Sequence, residues 1–345
     1  MVRPAAVWFE APPAGWSDLL RSDPNATPAH RPELWEAFTG TLPGLTLRVA
    51  AVVTGEGLIG GAPAMIERRG GFHWIYSMPM VLPGAPLARP GRHGEVDRAV
   101  GAALAELRHQ TRALGGAWSL YRPRGPAPAP DVLAALAGES RVLESGVIEL
   151  ASGLEVAWRR VDRKLRQEIQ HARAALRFQQ EAGALDAAYA LHAAQSRRWR
   201  GHAPLPLELS RRLLAATGSA SEAPAARLFT ARDERGLLSA AFALDHPRET
   251  LVWWSGTHPE GRSRQAFAFL MWSIAAWAAA AGRERLNLGA SPGLDPVAAF
   301  KRSLGATAIV YPVRWFDASG ASRAGRLLAA AQGWRRRERA IGRPA

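Results

Sequence analysis

Only two of the 44 basic residues in this 345-residue chain are lysines, Lys164 and Lys301, and the others are arginines. Lysine carries a compact ammonium on a flexible stem, whereas arginine carries a wide planar guanidinium. A lysine that persists in such an arginine-rich chain is therefore a candidate for a site that requires a point charge, beside a phosphate or an oxyanion. Chance survival of two surface lysines is the alternative.

Lys301 lies in a predicted short helix that follows a glycine-containing loop. The pair Asp295-Pro296 is typical of a helix start, with Asp295 as the N-cap, and Gly305 is typical of the helix end. If the loop over 289–293 lines a cleft, the ammonium of Lys301 can meet a phosphate there, or the oxyanion that develops during acyl transfer. A solvated lysine on a surface helix is the alternative.

A second basic element is the helix predicted over residues 155–178. One face is apolar at helical spacing and the other carries a row of cations. Such a row can hold a tRNA backbone, a lipid-linked pyrophosphate or a coenzyme A phosphate, and a merely solvated face fits the pattern equally well. The apolar stripe consists of Trp158, Val161, Leu165, Ile169, Ala172 and Leu176. The cations are Arg159, Arg163, Lys164, Arg166, Arg173 and Arg177.

A third candidate site is the segment from His258 to Arg264, between a predicted strand and a predicted helix. The N-terminus of a helix can bind a pyrophosphate through its free backbone N–H groups. Arg262 and Arg264 would add two cations to such a site.

The elements that must position these residues occur twice in the chain. Residues 47–79 align with residues 226–259 at a shift of 179 positions, which places Gly57 on Gly236 and Trp74 on Trp253. Each copy predicts three strands joined by tight turns, then a helix and a further strand. The helices are predicted over 95–114 and 264–281, and the strands that follow them over 117–120 and 285–288.

The order β-β-β-α-β, repeated, predicts an α+β fold of two related domains with mixed, mainly antiparallel sheets. We place the first domain at residues 1–150, the second at 151–318 and a basic tail at 319–345. The cleft between the two domains is the expected ligand site.

The composition limits the possible chemistry and partners. A net charge of +14 and a pI near 11.3 favour a polyanionic partner, such as nucleic acid, a phosphate-rich ligand or an anionic membrane; arginine drift without a partner is the alternative. The absence of cysteine excludes disulfides, thiolate metal sites and thiol nucleophiles. The histidines show no metal-ligand spacing, so we expect no metal.

The hydrophobic segments predict a cytoplasmic protein. The N-terminus has no apolar run of signal-peptide length. The most apolar stretch, Ala266 to Ala281, is shorter than the ~20 residues of a membrane-spanning helix. Peripheral contact with the inner face of the membrane remains compatible with the basic surface.

Several local strings share a resemblance with one family. They are Trp16 to Leu20, Asp23 to Pro28, Gly60 to Pro63, Tyr76 to Pro79, Arg163 to Arg166, Asn287 to Ser291 and Phe300 to Ala306. These strings and the repeated order resemble the tandem GNAT fold of the Fem-type peptidoglycan-bridge aminoacyltransferases, over roughly Trp16 to Trp315. Both lysines lie inside the strings. Some members carry a long helical-hairpin arm between the domain cores, and this chain has no room for one.

The resemblance implies an N-acyltransferase in which an acceptor amine attacks an activated ester or thioester. The implied donor is acyl-CoA or aminoacyl-tRNA, and the missing arm counts against tRNA. The acceptor would be a small-molecule or lipid-linked precursor of peptidoglycan or polysaccharide. We predict Lys301 as the catalytic residue. The predicted substrate- and phosphate-binding residues are Lys164, Arg166, Arg262, Arg264, Asn287, Ser291 and Arg302.

Three observations keep alternatives open. A GNAT domain usually holds the coenzyme pyrophosphate with a loop of the pattern Arg/Gln-x-x-Gly-x-Gly/Ala, and the segment around Gly261 lacks its second glycine. An acyl-CoA-dependent acetyltransferase of exopolysaccharide assembly is nevertheless a second hypothesis. A non-catalytic protein that binds RNA or anionic surfaces is the third, because the chain is strongly basic.

Overall fold

The computed structural model describes residues 4–69, 71–125, 139–198, 204–216, 224–291 and 293–317. The predicted basic tail lies outside the described residues. The first half contains β1 (Ala6–Phe9), α1 (Trp16–Ser22), α2 (Pro32–Thr41), β2 (Leu45–Thr54), β3 (Gly57–Arg69), β4 (Phe72–Tyr76), β5 (Leu87–Ala88), α3 (His93–Thr111) and β6 (Gly115–Ser119).

The second half repeats this order with additional elements before the repeat. It contains β7 (Glu139–Glu149), α4 (Leu154–Arg160), α5 (Arg163–Ala175), β8 (Arg177–Gln180), α6 (Leu185–Ser196), α7 (Leu207–Ala215), β9 (Ala226–Asp233), β10 (Gly236–Asp245), β11 (Glu249–Thr257), α8 (Pro259–Ser263), α9 (Ala266–Ala280), β12 (Arg285–Ala290), α10 (Asp295–Ser303) and β13 (Thr307–Asp317).

The two copies of the repeat occupy equivalent places in the fold. Gly57 and Gly236 both end tight turns and have positive φ angles, 91° and 141°, which a residue with a Cβ rarely adopts. Trp74 and Trp253 lie on the third strand of their copies, β4 and β11. In each copy a helix and a strand parallel to the third strand follow, as β6 beside β4 and β12 beside β11.

Two local predictions were wrong in detail. The helix expected over 155–178 is broken into α4 and α5, because the Asp162 carboxylate accepts the backbone N–H groups of Lys164 and Leu165 and so starts a new helix. Asp295 is the first residue of α10 and caps nothing with its side chain; Leu294 holds the N-cap position.

The described strands form one continuous mixed sheet of 13 strands, which confirms the predicted mixed architecture. Along the sheet the strands run β1-β2-β3-β4-β6-β13-β7-β12-β11-β10-β9-β8, and β5 pairs with β3 off this path. Two pairs, β4 with β6 and β11 with β12, are parallel, and the other pairs are antiparallel.

At the centre of the sheet, strands from before and after residue 150 alternate, so that β7 and β13 are exchanged across the predicted domain boundary. The strand β7 pairs with β12 on one side and with β13 on the other. The strand β13, at the end of the second half, also pairs with β6 of the first half, from Val313 beside Ser119 to Asp317 beside Gly115. The boundary at residue 150 stays a prediction, and the sheet crosses it without a gap.

The apolar faces of the helices pack on both sides of this sheet. The stripe predicted for the basic helix is confirmed as core, since Val161, Leu165 and Ile169 are buried against α9 and the second half of the sheet. A second core joins the halves: α1 and α2 share it with β9, β10 and β11, and the rings of Phe38 and Trp253 meet edge to face at 5.8 Å. Within the described part of the chain, none of the helices combines the length and apolar character that crossing a bilayer requires.

Two buried histidines lie where the halves meet. The Nδ1 atom of His30 accepts the Thr27 N–H at 3.0 Å, and its Nε2 donates to the Ala85 carbonyl at 2.7 Å. The Nδ1 atom of His246 accepts the Arg248 N–H at 3.2 Å. Burial lowers the pKa of both histidines, and that of His246 falls well below 6.5 because cations also surround it. These cations are Arg31, Arg248 and Arg285, and a proton on the neighbouring His30 would disfavour one on His246 in the same way.

We therefore expect the fold to lose stability as the pH falls below 6.5. Below this pH the unfolded chain binds protons that the folded protein does not bind. The free energy of unfolding therefore falls by at most about 1.4 kcal/mol per pH unit for each histidine. The variant His246→Asn keeps an acceptor for the Arg248 N–H and cannot titrate, so urea unfolding at pH 7.5 and 5.5 should show a smaller acid loss than in wild type. His258→Asn is the matched control, because His258 accepts the Glu260 N–H in the same way nearer the surface. An equal acid loss in wild type and His246→Asn would contradict the prediction.

Candidate functional site

The second half of the sheet opens where its two parallel strands part. The strands β11 and β12 pair only from Glu249 beside Arg285 to Leu251 beside Asn287, although β11 continues to Thr257. The corresponding place in the first half is bridged. There the Ser77 N–H donates to the Ala117 carbonyl and the Ser77 Oγ accepts the Ser119 N–H, each at 3.0 Å.

The strand β12 carries a bulge at this opening. Its register with β7 shifts between Asn287 and Ala290, and Gly289 has a φ angle of 76°. The Asn287 Oδ1 accepts the Gly289 N–H at 2.8 Å, which closes a turn of two residues. As a result, the carbonyls of Gly289 and Ala290 are available to a neighbouring side chain.

That side chain is Lys301, which α10 directs at the bulge. Its Nζ donates to the Gly289 carbonyl at 2.7 Å and reaches the Ala290 carbonyl at 3.4 Å. Its stem lies flat against Gly146 of β7, where an added Cβ would come within 3.0 Å of the Lys301 Cδ. Burial lowers the pKa of Lys301 to about 8.

The charge of Lys301 is not balanced by a carboxylate. Among the described residues no Asp or Glu forms an ion pair with it. With a pKa of about 8 the amine is still mainly protonated at pH 7. An ammonium has three donors, so two carbonyl contacts leave one for an anion that enters the opening.

A cavity of about 350 Å³ lies at the N-terminal end of α9. Phe300, the neighbour of Lys301 in α10, stacks on Phe267 with ring centroids 5.3 Å apart and so joins this cavity to the lysine helix. The helix start at Gln265 and the guanidinium of Arg262 make the cavity suitable for a phosphate. It is lined by Gln195, Thr257, Gly261, Arg262, Gln265, Phe267, Ala268 and Phe300.

The segment before α9 is itself folded on internal contacts. It forms the single turn α8, in which the Gly261 N–H donates to the His258 carbonyl at 2.9 Å. A Cβ on Gly261 would lie 2.6 Å from the Leu238 carbonyl oxygen, so this glycine is required for packing against β10. A phosphate therefore fits the first N–H groups of α9 and Arg262 better than the turn itself.

The structure brings together only some of the predicted site residues. Arg262 lines the cavity, whereas Arg264 forms an ion pair with Asp233. Ser291 follows the bulge, and its buried hydroxyl has no hydrogen-bond partner within the described structure. Asn287 is fully buried beneath the bulge.

The remaining predicted residues lie on the outer side of the same region. The Asp162 N–H donates to the Ser303 carbonyl at 2.8 Å, which joins the start of α5 to the end of α10. Lys164 and Arg166 stand at that start, and Arg302 is on the last turn of α10. The Nη1 of Arg166 reaches the Arg159 carbonyl at 3.4 Å.

Gly146 and Gln195 are among the residues of the site that the sequence analysis did not single out. Gly146 is a glycine inside a strand, which often marks a close approach by another group, so a signal for it existed. Gln195 lies on α6 and its Oε1 accepts the Thr257 N–H at 3.2 Å. No local pattern distinguishes it from a surface glutamine.

The arrangement of strands is shared with solved structures. FemX superposes with a TM-score of 0.69 at 11% identity, over 89% of this chain and 96% of FemX. A tandem GNAT protein of the clavulanic acid biosynthesis pathway superposes with a TM-score of 0.53 at 14% identity, over 91% of this chain and 98% of that protein. This chain has the Fem-like tandem GNAT fold. The resemblance found in the sequence is thereby confirmed.

The family comparison concerns the second half of the chain. Residues 159–302 match the model of the acetyltransferase (GNAT) domain. The matched range begins in α4 and ends just after Lys301, so it includes the opening, the bulge and the cavity. The sequence of the second half is therefore similar to that of GNAT acetyltransferase domains.

One further solved structure superposes on this chain. The C-terminal DUF2156 domain assigned to a lysylphosphatidylglycerol synthetase from Agrobacterium fabrum superposes with a TM-score of 0.55 at 13% identity, over 92% of this chain and 96% of that domain. At such identities the likeness concerns the fold. A comparison with curated proteins yields no match. In the part of the tandem GNAT protein that the structure describes, no group of three or more His, Cys, Asp or Glu side chains could hold a metal ion.

Proposed function

We propose that this tandem GNAT protein is an N-acyltransferase that moves an acyl or aminoacyl group from an activated donor to an amine of a cell-envelope precursor. The observation that carries the proposal is the Lys301 ammonium, which is partly buried, lacks a carboxylate partner among the described residues and lies at the open end of β11 and β12. A partly buried charge without a counter-ion lowers the free energy of unfolding, and binding of an anionic ligand or transition state would offset that loss.

The reaction needs no covalent enzyme intermediate. The acceptor nitrogen attacks the carbonyl carbon of the donor ester or thioester, and the carbonyl oxygen becomes an oxyanion. Lys301 donates a hydrogen bond to that oxyanion, which lowers the barrier because the charge is aimed at the transition state. The C–O or C–S bond then breaks, and the amine loses its proton to the leaving group or to water.

The cavity at α9 supports a donor that carries phosphate. Both acyl-CoA and the 3′ end of an aminoacyl-tRNA meet this description, and the two arms of the experiment below separate them. The envelope assignment is supported by the likeness to a domain whose protein is named for the synthesis of lysylphosphatidylglycerol, an aminoacylated lipid. The basic start of α5, with Lys164 and Arg166, would face the phosphates of such an acceptor.

The proposal is tested by binding and by transfer. Purified protein is titrated with coenzyme A, acetyl-CoA, a charged tRNA and a muropeptide, with thermal unfolding as the readout, and each pair of donor and acceptor is then assayed for amide formation by mass spectrometry. Amide formation with one donor supports the proposal and identifies the donor. Salt-sensitive, sequence-independent nucleic-acid binding without any amide product would overturn it in favour of a non-catalytic role.

Arg262 should act on donor binding. We expect Arg262→Gln to raise the KM for the donor roughly tenfold and to change kcat much less, because one charge-assisted contact to phosphate is lost. Arg264→Gln is the matched control, since Arg264 is engaged with Asp233 and should leave the donor KM unchanged. Equal changes in the donor KM of the two variants would show that the phosphate of the donor does not contact Arg262.

A further inference from the structure

A fully buried polar network lies directly beneath the Lys301 bulge. The Glu249 carboxylate accepts hydrogen bonds from the Arg285 Nε at 3.1 Å, the Tyr121 hydroxyl at 3.1 Å and the Asn287 Nδ2 at 3.0 Å. These four residues have exposed fractions of 0%. Tyr121 follows β6 of the first half, so the network spans both halves of the chain.

Asn287 is the member that touches the bulge. Its Nδ2 also donates to the Tyr121 hydroxyl oxygen at 3.2 Å. Its Oδ1 accepts the Ser145 hydroxyl at 2.7 Å and the Gly289 N–H at 2.8 Å. Both donors and both acceptor positions of the amide are occupied, so the orientation of its side chain is determined by the network.

The contacts form a continuous chain to the lysine. Tyr121 and Ser145 orient Asn287, Asn287 holds the turn at Gly289, and the Gly289 carbonyl accepts the Lys301 ammonium. Burial, and secondarily the Glu249 carboxylate, raise the pKa of Tyr121 well above its usual value, so its hydroxyl stays protonated as a donor.

We propose that Asn287 is a positioning residue for Lys301. Tyr121 and Ser145 orient Asn287 and thereby determine the position of the Lys301 ammonium. The role in catalysis rests on the proposed function, because Lys301 acts there on the transferred acyl group. The first half of the chain, whose own opening is bridged by Ser77, thus contributes to the site of the second half.

Among the described residues, no charged side chain forms an ion pair with Lys301. The charged residues on the elements packed against it are Glu139, Arg141, Glu144 and Glu149 on β7, Arg285 on β12, and Asp295 and Arg302 on α10. None of these forms an ion pair with Lys301 in the described structure, and burial accounts for its lowered pKa. A change in the bulge that admits water should therefore raise this pKa.

The chain offers a direct readout, because it contains only two lysines. Protein labelled with [¹³Cε]lysine gives two side-chain signals, and a Lys301→Arg sample identifies the one from Lys301. We expect Ser145→Ala, Tyr121→Phe and Asn287→Ala to raise the titration midpoint of Lys301 by about half a unit or more. The signal of Lys164, which lies outside this network, serves as the internal reference.

Matched controls separate positioning from loss of stability. Ser119→Ala removes a buried hydroxyl that has no hydrogen-bond partner among the described residues, and Tyr189→Phe removes a hydroxyl that donates to the Leu205 carbonyl; neither should move the Lys301 midpoint. Ser145→Ala is the mildest change and keeps the test valid if Asn287→Ala fails to fold. An unchanged Lys301 midpoint in folded Ser145→Ala and Tyr121→Phe would overturn the proposal.

The titration requires no substrate, so it is independent of the proposed reaction. A shifted Lys301 midpoint in a protein that transfers no acyl group would retain the positioning role and reject the proposed function. An unchanged Lys301 midpoint in a protein that does transfer acyl groups would reject the positioning role and retain the proposed function.

Discussion

Replacing Lys301 with methionine is expected to lower acyl transfer roughly 100- to 1,000-fold, the usual loss when one donor to an oxyanion is removed. The same variant should be more stable than wild type at pH 7, by roughly 1–3 kcal/mol, because methionine fills the channel beside Gly146 without a buried charge. Both effects follow from the partly buried ammonium at the bulge. Steady-state kinetics and urea unfolding measure them.

The stability gain should depend on pH in a defined direction. The pKa of Lys301 is lowered from 10.5 to about 8 in the folded protein. Between these two values the unfolded chain binds more protons than the folded protein, so wild-type stability rises with pH across this window. The difference between wild type and Lys301→Met should therefore be largest below pH 8 and vanish near pH 10.5. A constant difference would show that Lys301 is not desolvated.

The rate of acyl transfer should fall with rising pH, whereas the stability of the wild type rises. The wild-type rate at saturating substrates is expected to fall above pH 8, as the ammonium is lost. Lys301→Arg should lose at least about tenfold in rate and should lack this alkaline fall, because guanidinium stays charged and its planar fork cannot lie on Gly146 as the lysine stem does. Lys164→Ala is the control, and we expect it to retain the wild-type pH profile. A Lys301→Met enzyme within twofold of wild type would remove the lysine from the mechanism.

The second large effect concerns the boundary predicted at residue 150. Residues 1–150 and 151–345, produced separately, are each expected to lack cooperative unfolding and dispersed NMR spectra. The second fragment lacks β7, which pairs with β12 and β13, and the first lacks β13, the neighbour of β6. Unpaired strand edges in a buried sheet leave many backbone groups unsatisfied.

The two fragments should associate when they are produced together. The exchanged strands and the core that α1 and α2 share with β9, β10 and β11 can then re-form. A matched sample is the intact chain with a protease site inserted at the exposed turn of residues 151–153, which should stay assembled and folded after cleavage. A fragment that folds cooperatively alone would show that the exchange is dispensable.

Much of this architecture is a local property of the sequence. The glycines at the turns, Gly57 and Gly236, and Gly305 after α10 adopt positive φ angles that glycine tolerates best. Together with the strand patterns on either side of the turns, the two turn glycines predicted the repeat correctly. The rarity of lysine singled out Lys164 and Lys301, and the helix that precedes Gly305 placed Lys301 next to a loop.

The break at Asp162 was missed because the apolar stripe continues through it. A stripe at helical spacing reports which face is buried, and α4 and α5 bury the same face on the same core. What starts the second helix is the Asp162 carboxylate, together with the contact of the Asp162 N–H with Ser303, a residue far along the chain. The N-cap at Asp162 is a local signal that the continuous apolar stripe concealed, whereas the contact with Ser303 is a long-range one that periodicity cannot show.

By itself, the sequence predicted the repeated strands and helices and offered Lys301 as the candidate for the chemistry, because such patterns depend on neighbours within a few turns of the chain. Only the tertiary structure decided the strand exchange and the state of Lys301. The stem of Lys301 lies against Gly146, and its ammonium is held by the Gly289 carbonyl. The bulge is shaped by Asn287 and, through that residue, by Tyr121 of the first half. Pairing between distant strands and the burial of a charge arise only when separate segments pack together.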